Sequence, residues 1–299
     1  MEEADRQLPR GEEIFLDHVG HFVRDPEAAG RALAQAGFAP TPVSVQVAPD
    51  GSPTGTGNVC AMLAHGYVEV LFKTADTPLG REFEASIARY AGVQLAAFAV
   101  ADAAAARDRL AAGGFQVRDL VAFKRPVSTA TGTDTAAFTV ARVTPGEMVE
   151  GRIQILTHHT EQAVWQPRWL SHPNGARALA SVIVAVADVE EAAARFARFT
   201  GRVAEATGSG RCIRLDRGQI ELVDPAAFAA AFPDLTAASL PFAGGYGVIV
   251  DSLPKLEACL RGASLPYRRA GHCTIAPFPP ALGSGVWIFC ESRYASPLA

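Results

Sequence analysis

Four times in 299 residues an apolar, alternating stretch ends in Asp and runs straight into an Ala-rich helical stretch: LDHVGHFVRD to Asp25, VQLAAFAVAD to Asp102, LASVIVAVAD to Asp188, and GGYGVIVD to Asp251. Successive Asp positions lie 77, 86 and 63 residues apart, too far for one turn of a solenoid and far enough for a strand, a helix and further strands. The chain reads as a fourfold repeat of one small module. Strand ends then decide which side chains meet, and only the first copy carries both a His and a Glu there.

In the first copy Asp25 stands where a helix N-cap belongs, with Pro26 at the first helical position and helix formers through Ala36. Gly37 supplies the left-handed stop. The second copy repeats this from Asp102 to Gly114, and in both a Phe follows 13 residues after the Asp, at Phe38 and Phe115. Asp188 caps a helix ending near Gly201; in the fourth copy the helix spans 253–262, delayed by Pro254. Three strand candidates follow each helix: 41–48, 57–64 and 66–73, then 116–123, 135–143 and 150–157, then 202–207, 211–215 and 218–223, and finally 265–269, 272–276 and 285–291. The module is β-α-β-β-β, and the fold class α+β. Residues 77–91 read as a linking helix. The segment 161–176, rich in Trp, Pro, Gln and Asn, separates two expected sheet-built halves, 14–160 and 177–295, preceded by a loosely ordered segment 1–13.

Apolar residues at 49% and charged ones at 19% describe a soluble globular chain, and a formal charge of -4 with scattered Lys and Arg offers no basic field for nucleic acid. The polar start has no apolar core, so neither a signal peptide nor a membrane anchor is expected. Cys60, Cys212, Cys259, Cys273 and Cys290 are odd in number, lack CxxC spacing and mostly sit in apolar runs. They read as reduced, core-forming residues of a cytoplasmic protein.

Four such modules, with Asp17-His18-Val19-Gly20 at the start and Tyr67-Val68-Glu69-Val70-Leu71 closing the first, resemble the vicinal oxygen chelate superfamily. Gly55-Thr56-Gly57-Asn58, Gly66-Tyr67-Val68-Glu69 and His172-Pro173-Asn174-Gly175-Ala176 make the first half look most like the glyoxalase-like domain family. The resemblance implies paired modules forming a cupped sheet, with metal ligands on the first and last strands of each module. It also implies a range of activities: isomerases, lyases, epimerases, extradiol dioxygenases and metal-free binding proteins.

Counting seven residues back from each Asp gives His18, Leu95, Ser181 and Gly244; the last-strand position holds Glu69, Gln154, Glu221 and the apolar 287–288 region. Under the resemblance the first half offers His18, Glu69 and Gln154 to a metal, with the fourth ligand lost at Leu95. That donor set suits Zn, Mn, Ni, Co or Fe(II), completed by water or two substrate oxygens. Glu69, between Val68 and Val70, is the strongest signal, because a strand carboxylate is costly to bury without a metal, a cation or a proton. His18 read alone is equally a hydrogen-bonded structural residue, Gln154 a satisfied strand polar, and Glu221 an exposed residue of a degenerate copy.

Around this set, Arg125 and Arg142 could hold a substrate carboxylate or be solvated strand charges. Asn58 could orient a ligand or cap a turn; Trp165 could close the cup mouth or cover core. His158 shares strand parity with Gln154 but lies about 13 Å along the strand, too far to share one ion; it is kept as a substrate contact. His21 and His159, of opposite parity, read as surface or inter-element residues. No GxSxG, P-loop or dinucleotide fingerprint is present.

The expected function is a divalent-metal-dependent isomerase, epimerase or lyase acting through an enediolate, with Glu69 as ligand and base. Its partner would be a small-molecule substrate, with no nucleic acid or membrane and a homodimer allowed. The competing expectation is a metal-free binding or sequestering protein. Extradiol dioxygenases of this superfamily carry iron in the second half on two His and a Glu, and that half keeps only Glu221.

Overall fold

Each of the first three repeats starts its helix where expected, because the Asp closing the strand accepts the amides left free by the first turn. In the computed structural model, which describes residues 6–47, 51–130, 132–292 and 296–298, Asp25 accepts from the Ala28 amide at 2.9 Å, Asp102 from Ala104 at 2.8 Å, and Asp188 from Glu191 at 3.0 Å. The fourth copy departs by one residue. Ser252 caps its helix, while Asp251 pairs with Arg177 at 2.8 Å. Counting from Ser252 makes Gly245, not Gly244, the equivalent of Leu95, and pairing agrees: Leu95 lies opposite Arg152 and Gly245 opposite Val286.

The first two modules comprise β1 (Ile14–Phe22), α1 (Pro26–Gln35), β2 (Ser44–Val47), β3 (Pro53–Met62), β4 (Tyr67–Lys73), the linking helix α2 (Pro78–Arg89), β5 (Gly92–Val100), α3 (Ala103–Ala112), β6 (Val121–Thr129), β7 (Gly132–Arg142) and β8 (Arg152–His158). They form one eight-stranded sheet of order β2-β3-β4-β1-β5-β8-β7-β6. After α4 (Glu161–Val164) and a single 3-10 turn come β9 (Ala176–Ala185), α5 (Val189–Thr200), β10 (Ala204–Ala206), β11 (Gly210–Arg214), β12 (Gln219–Val223), α6 (Pro225–Ala231), β13 (Phe242–Val250), α7 (Leu253–Gly262), β14 (Arg268–Ala270), β15 (Cys273–Pro277) and β16 (Val286–Cys290). These build a second eight-stranded sheet with the corresponding order. In each sheet the first strands of the two modules run antiparallel at the centre, and each pairs in parallel with its own module's last strand. No helix among the described residues is long and apolar enough to cross a membrane.

Helices α1, α3, α5 and α7 bury Leu33, Leu110, Phe196, Phe199 and Leu256 in one apolar core shared by the two sheets. That leaves the opposite face of each sheet as a cup. In the first cup α2 lays Phe83 and Ile87 over Phe22, Leu71, Leu95 and Leu156. In the second, Phe228 of α6 and the neighbouring Phe232 pack on Ile183 and Ile288, and a cavity of about 290 Å³ lined by Phe232, Tyr267, Ile275 and Val286 remains beside them. The sequence reading has no counterpart for α6, whose Asp224-Pro225 start caps too short an Ala-rich run to display a helical period.

Two expectations are corrected here. Cys273 and Cys290, expected reduced, form a disulfide, because they sit directly opposite each other on β15 and β16; the other three cysteines are free. Residues 6–13, expected to be loose, are held by Arg217, whose guanidinium donates to the Arg6 and Gln7 carbonyls at 2.7 and 3.0 Å; residues 1–5 lie outside the described residues.

His21 joins the halves. Fully buried, it donates from Nδ1 to the Leu282 carbonyl at 2.9 Å and accepts at Nε2 from the Tyr246 hydroxyl at 3.0 Å, which in turn accepts from Trp287 at 2.6 Å. Burial lowers the imidazole to about 4, against a smaller opposing effect of the Leu282 carbonyl. An unfolded His protonates near its ordinary value of about 6.5. The contribution of neutral His21 is therefore complete above that pH and lost as pH falls toward 4. Urea-unfolding free energy should drop by on the order of 3 kcal/mol from this cause between pH 7 and pH 4, and His21→Gln should show that much less pH dependence. Equal slopes would exonerate His21.

Candidate functional site

A β-bulge creates the site. Along β1 and β5 the pairing steps from Leu16 opposite Phe98 to His18 opposite Ala97, leaving Asp17 as the extra residue. Regular alternation would send Asp17 and His18 to opposite faces; the bulge re-aims them so that they meet. His18 donates from Nδ1 to Asp17 Oδ2 at 2.7 Å, and Asp17 Oδ1 accepts from His158 Nε2 at 3.1 Å. Complete burial pushes the Asp17 carboxyl up, but the two imidazoles, His158 foremost, outweigh it and hold the group well below the usual carboxylate range. Asp17 is thus an anion clamped between two rings. Tyr67 stacks on His18 with centroids 4.4 Å apart.

Strand β4 brings Glu69 to the exposed edge of His18. The distance from His18 Nε2 to Glu69 Oε2 is 3.6 Å, and Asn58 of β3 donates to the other carboxylate oxygen at 2.6 Å. With Nδ1 donating to Asp17, the neutral form of the His18 ring offers a lone pair at Nε2, and Glu69 offers another. Two acceptors facing each other at more than a hydrogen-bond length leave room for a shared cation or a substrate proton between them.

Both groups line a cavity of about 60 Å³ together with Leu95, Gln154, Arg142 and Arg152. Gln154 reaches this cavity, but its side-chain oxygen accepts from Arg142 Nε at 3.0 Å. Burial and the nearby Arg152 and Arg118 bring Arg142 down to about 10, leaving it charged at neutral pH. Arg152, which the sequence reading passed over, pairs with Glu82 at 3.2 Å and stacks 4.8 Å over the Phe83 ring. Among the described residues no cluster of three or more His, Cys, Asp or Glu could hold a metal. A cation is fitted by two oriented donors, His18 and Glu69. The amide expected as the third is engaged by a guanidinium, and the fourth position is the alkyl group of Leu95.

The remaining candidates are spread around this pair. His158 does not face the cavity: the bulge draws it onto Asp17, so its role as a substrate contact is corrected to one behind His18. Trp165 is buried edge-on against His158 at 4.8 Å and near Tyr67, packing under the cup rather than closing its mouth. The ring nitrogens His158 Nδ1 and Trp165 Nε1 have no hydrogen-bond partner among the described residues. Asn58 orients Glu69, and Arg125 lines a separate, larger cavity. Glu221 is buried, not exposed as expected, since Gln219 donates to it at 3.1 Å and Ser296 at 2.5 Å. The bulge was missed, although its signal was present: an Asp within an apolar strand must find a partner, and its neighbour was a His.

Asp17→Asn keeps the shape and removes the charge that both rings address. It should lower unfolding free energy by about 2 kcal/mol. In nitrogen-15 spectra of the imidazoles, His18 should change from a single Nδ1-protonated form to a mixture; an unchanged spectrum would show that Asp17 does not set the tautomer.

A family model for a glyoxalase-like domain matches residues 16–200. Curated proteins give no match. Among solved structures, a hypothetical protein from Staphylococcus aureus superposes with a TM-score of 0.63 at 9% identity, covering 92% of this chain and 98% of that one. A mutant of 4-hydroxymandelate synthase from Streptomyces coelicolor gives 0.54 at 13% identity, covering 93% and 92%. A fusion of a xylose isomerase-like TIM barrel with 4-hydroxyphenylpyruvate dioxygenase gives 0.59 at 12%, covering 99% of this chain and 52% of that one. At these identities the structures speak for the fold. The family match spans more than half of the chain and includes the bulge, His18, Glu69 and Gln154: the chain belongs to the glyoxalase-like domain family of the vicinal oxygen chelate superfamily.

Proposed function

We propose that the first cup is the working site of an isomerase, epimerase or lyase that binds a small anionic substrate with adjacent oxygens and moves a proton at the oxygen-bearing carbon next to its carbonyl. The carrying observation is the 3.6 Å approach of His18 Nε2 and Glu69 Oε2, each fixed from behind, by Asp17 and by Asn58. Hydrogen bonds of this kind, made behind the reacting atoms, hold a ligand pair or an acid-base pair in one geometry. His18 and Glu69 are the residues that would hold a divalent cation, and such an ion would polarise the two substrate oxygens.

The chain's own groups supply the rest. Glu69, with Oε1 fixed by Asn58 and Oε2 open to the cavity, is the proton acceptor when that oxygen is released from the cation. Arg142 and Arg152 counter negative charge that develops on the substrate oxygens. Leu71, Leu95, Phe83, Phe123 and Phe138 line the same cavity and exclude water from the reacting atoms. The equivalent positions of the second cup hold Ser181, Glu221, Gly245 and Ile288, which do not furnish the two His and a Glu of an extradiol dioxygenase.

A second reading, a metal-free binding protein, is favoured by the Arg142 to Gln154 bond and by Leu95, which together occupy two of the four ligand positions. Metal content and activity separate the two. Glu69→Gln should reduce bound metal and turnover by about tenfold or more, while Glu221→Gln, in the cup where Ser181 replaces the His, leaves both unchanged; equal effects would mean that the second half is the working one. Leu95→His adds an imidazole to the cavity and should tighten metal binding. If it does not, and the parent binds an apolar ligand equally with and without chelator, the metal-free reading replaces the first.

A further inference from the structure

The first cup contains a second compartment. On β6 the residues 121, 123, 125, 127 and 129 are half-buried and those between them exposed, so the odd positions face the cup. Phe123 lines the inner cavity beside His18 and Glu69, whereas Arg125 and Val127 line an outer one of about 320 Å³. Across the cup β3 repeats the division: Thr56 lines the inner space, Cys60 and Met62 the outer, and Asn58 between them holds Glu69. The two edges of the curled sheet face each other over the outer cavity, with Thr41 to Ser44 on one side and Arg125 to Ser128 on the other. Val164 and Trp169 of the connection also line it. The two cavities are successive compartments of one trough.

The chemistry of the outer compartment is specific. Its walls are apolar at Pro42, Val43, Met62, Val127, Val164 and Trp169. Arg168, the other guanidinium there, lies 4.8 Å over the Trp169 ring and donates to the Ser128 carbonyl. Arg125 makes no hydrogen bond or ion pair among the described residues. It is nevertheless near the site: Cys60 lies opposite Glu69 across the β3 and β4 ladder, and the thiol feels both the Glu69 carboxylate and the Arg125 guanidinium. A guanidinium without a bonded partner among the described residues, set beside apolar side chains in a wall that also carries Thr41, Ser44 and Gln166, suits a planar carboxylate on an apolar body. A volume of 320 Å³ lies at the small end of ligand pockets, about 300–1,000 Å³, enough for one ring or a short branched chain.

The geometry points to an aromatic or branched aliphatic carboxylate as the substrate class, its acid group anchored on Arg125 in the outer compartment and its reacting oxygens carried inward to His18 and Glu69. This rests on the first cup being the working site. The anchor sets which molecules enter; the inner pair sets what happens to them.

Benzoate and its neutral isostere benzamide are the probes, titrated by tryptophan fluorescence and by ligand-observed NMR against the full chain, Arg125→Met, Arg142→Met and Glu69→Gln. Benzoate should bind at least about tenfold more tightly than benzamide, as expected where a charge-assisted pair forms. Arg125→Met should abolish that preference while leaving benzamide binding intact, which also shows that the variant is folded. Arg142→Met and Glu69→Gln should keep the preference. Equal binding of the two probes, failure of both to bind, or loss of the preference in Arg142→Met instead of Arg125→Met would overturn the assignment. If turnover falls in Glu69→Gln while the probes show no Arg125-dependent preference, the anchor fails and the proposed activity stands. An Arg125-dependent preference with no effect of Glu69→Gln on turnover or metal would leave the anchor and remove the activity.

Discussion

A carboxylate with no access to solvent sits between two imidazoles, and the first cup is arranged around that fact. Asp17 could not stay ionised at 0% exposure without partners on both oxygens. The bulge that supplies them has three consequences. It turns His18 and Asp17 toward one another, draws His158 from the far end of β8, and occupies His18 Nδ1 so that Nε2 alone is offered to the cavity. Glu69 then faces a lone pair instead of a hydrogen-bond donor. The openness of the pair to a cation or a substrate proton is thus decided one residue away from it.

The second cup shows what the same scaffold does without that constraint. Ser181 stands where His18 does, and the bulge residue before it is Ala180, which carries no charge to satisfy. Glu221 is retained, but Gln219 and Ser296 neutralise its demand for donors, and neither Glu221 nor Ser181 lines the cavity of about 290 Å³ that this half contains. A polar group buried and fully bonded contributes to packing and leaves nothing presented to a ligand. The two halves therefore share an architecture, while of the two corresponding carboxylates Glu69 keeps an oxygen open to its cavity and Glu221 has both oxygens bonded.

Much of this was legible in the sequence because it depends on periodicity and caps. The repeat, the helices after Asp25, Asp102 and Asp188, the strands after each helix, and the inward placement of His18, Leu95, Glu69 and Gln154 all follow from local chemistry and strand parity. What was not legible breaks one of those rules. Asp17 violates alternation through a bulge, so strand parity along the sequence does not reveal that it meets His18. In the fourth copy Ser252 takes the cap from Asp251, and a count of seven slips by one. The Cys273 to Cys290 bridge depends on the register of β15 and β16, which no spacing of cysteines reveals. Arg142 on Gln154 is a contact between neighbouring strands, equally invisible along the chain.

Charge in the trough links the inner pair to the outer anchor. Facing the two cavities are Glu69, with one negative charge, and Arg142 and Arg125, with one positive charge each; Arg152 is already offset by Glu82, and Arg168, also positive, lies over the Trp169 ring. A divalent cation entering alone would add to a positive surplus in a half-buried setting where screening is weak. An anionic substrate entering alone would reduce the surplus but place its oxygens against the lone pairs of His18 and Glu69. Entering together, each removes the other's cost: the carboxylate answers Arg125, the reacting oxygens answer the cation, and the cation answers His18 and Glu69. By linkage, each then raises the affinity of the other. A site with only two protein donors and two nearby guanidiniums is therefore poorly suited to storing a metal and better suited to assembling one with its substrate.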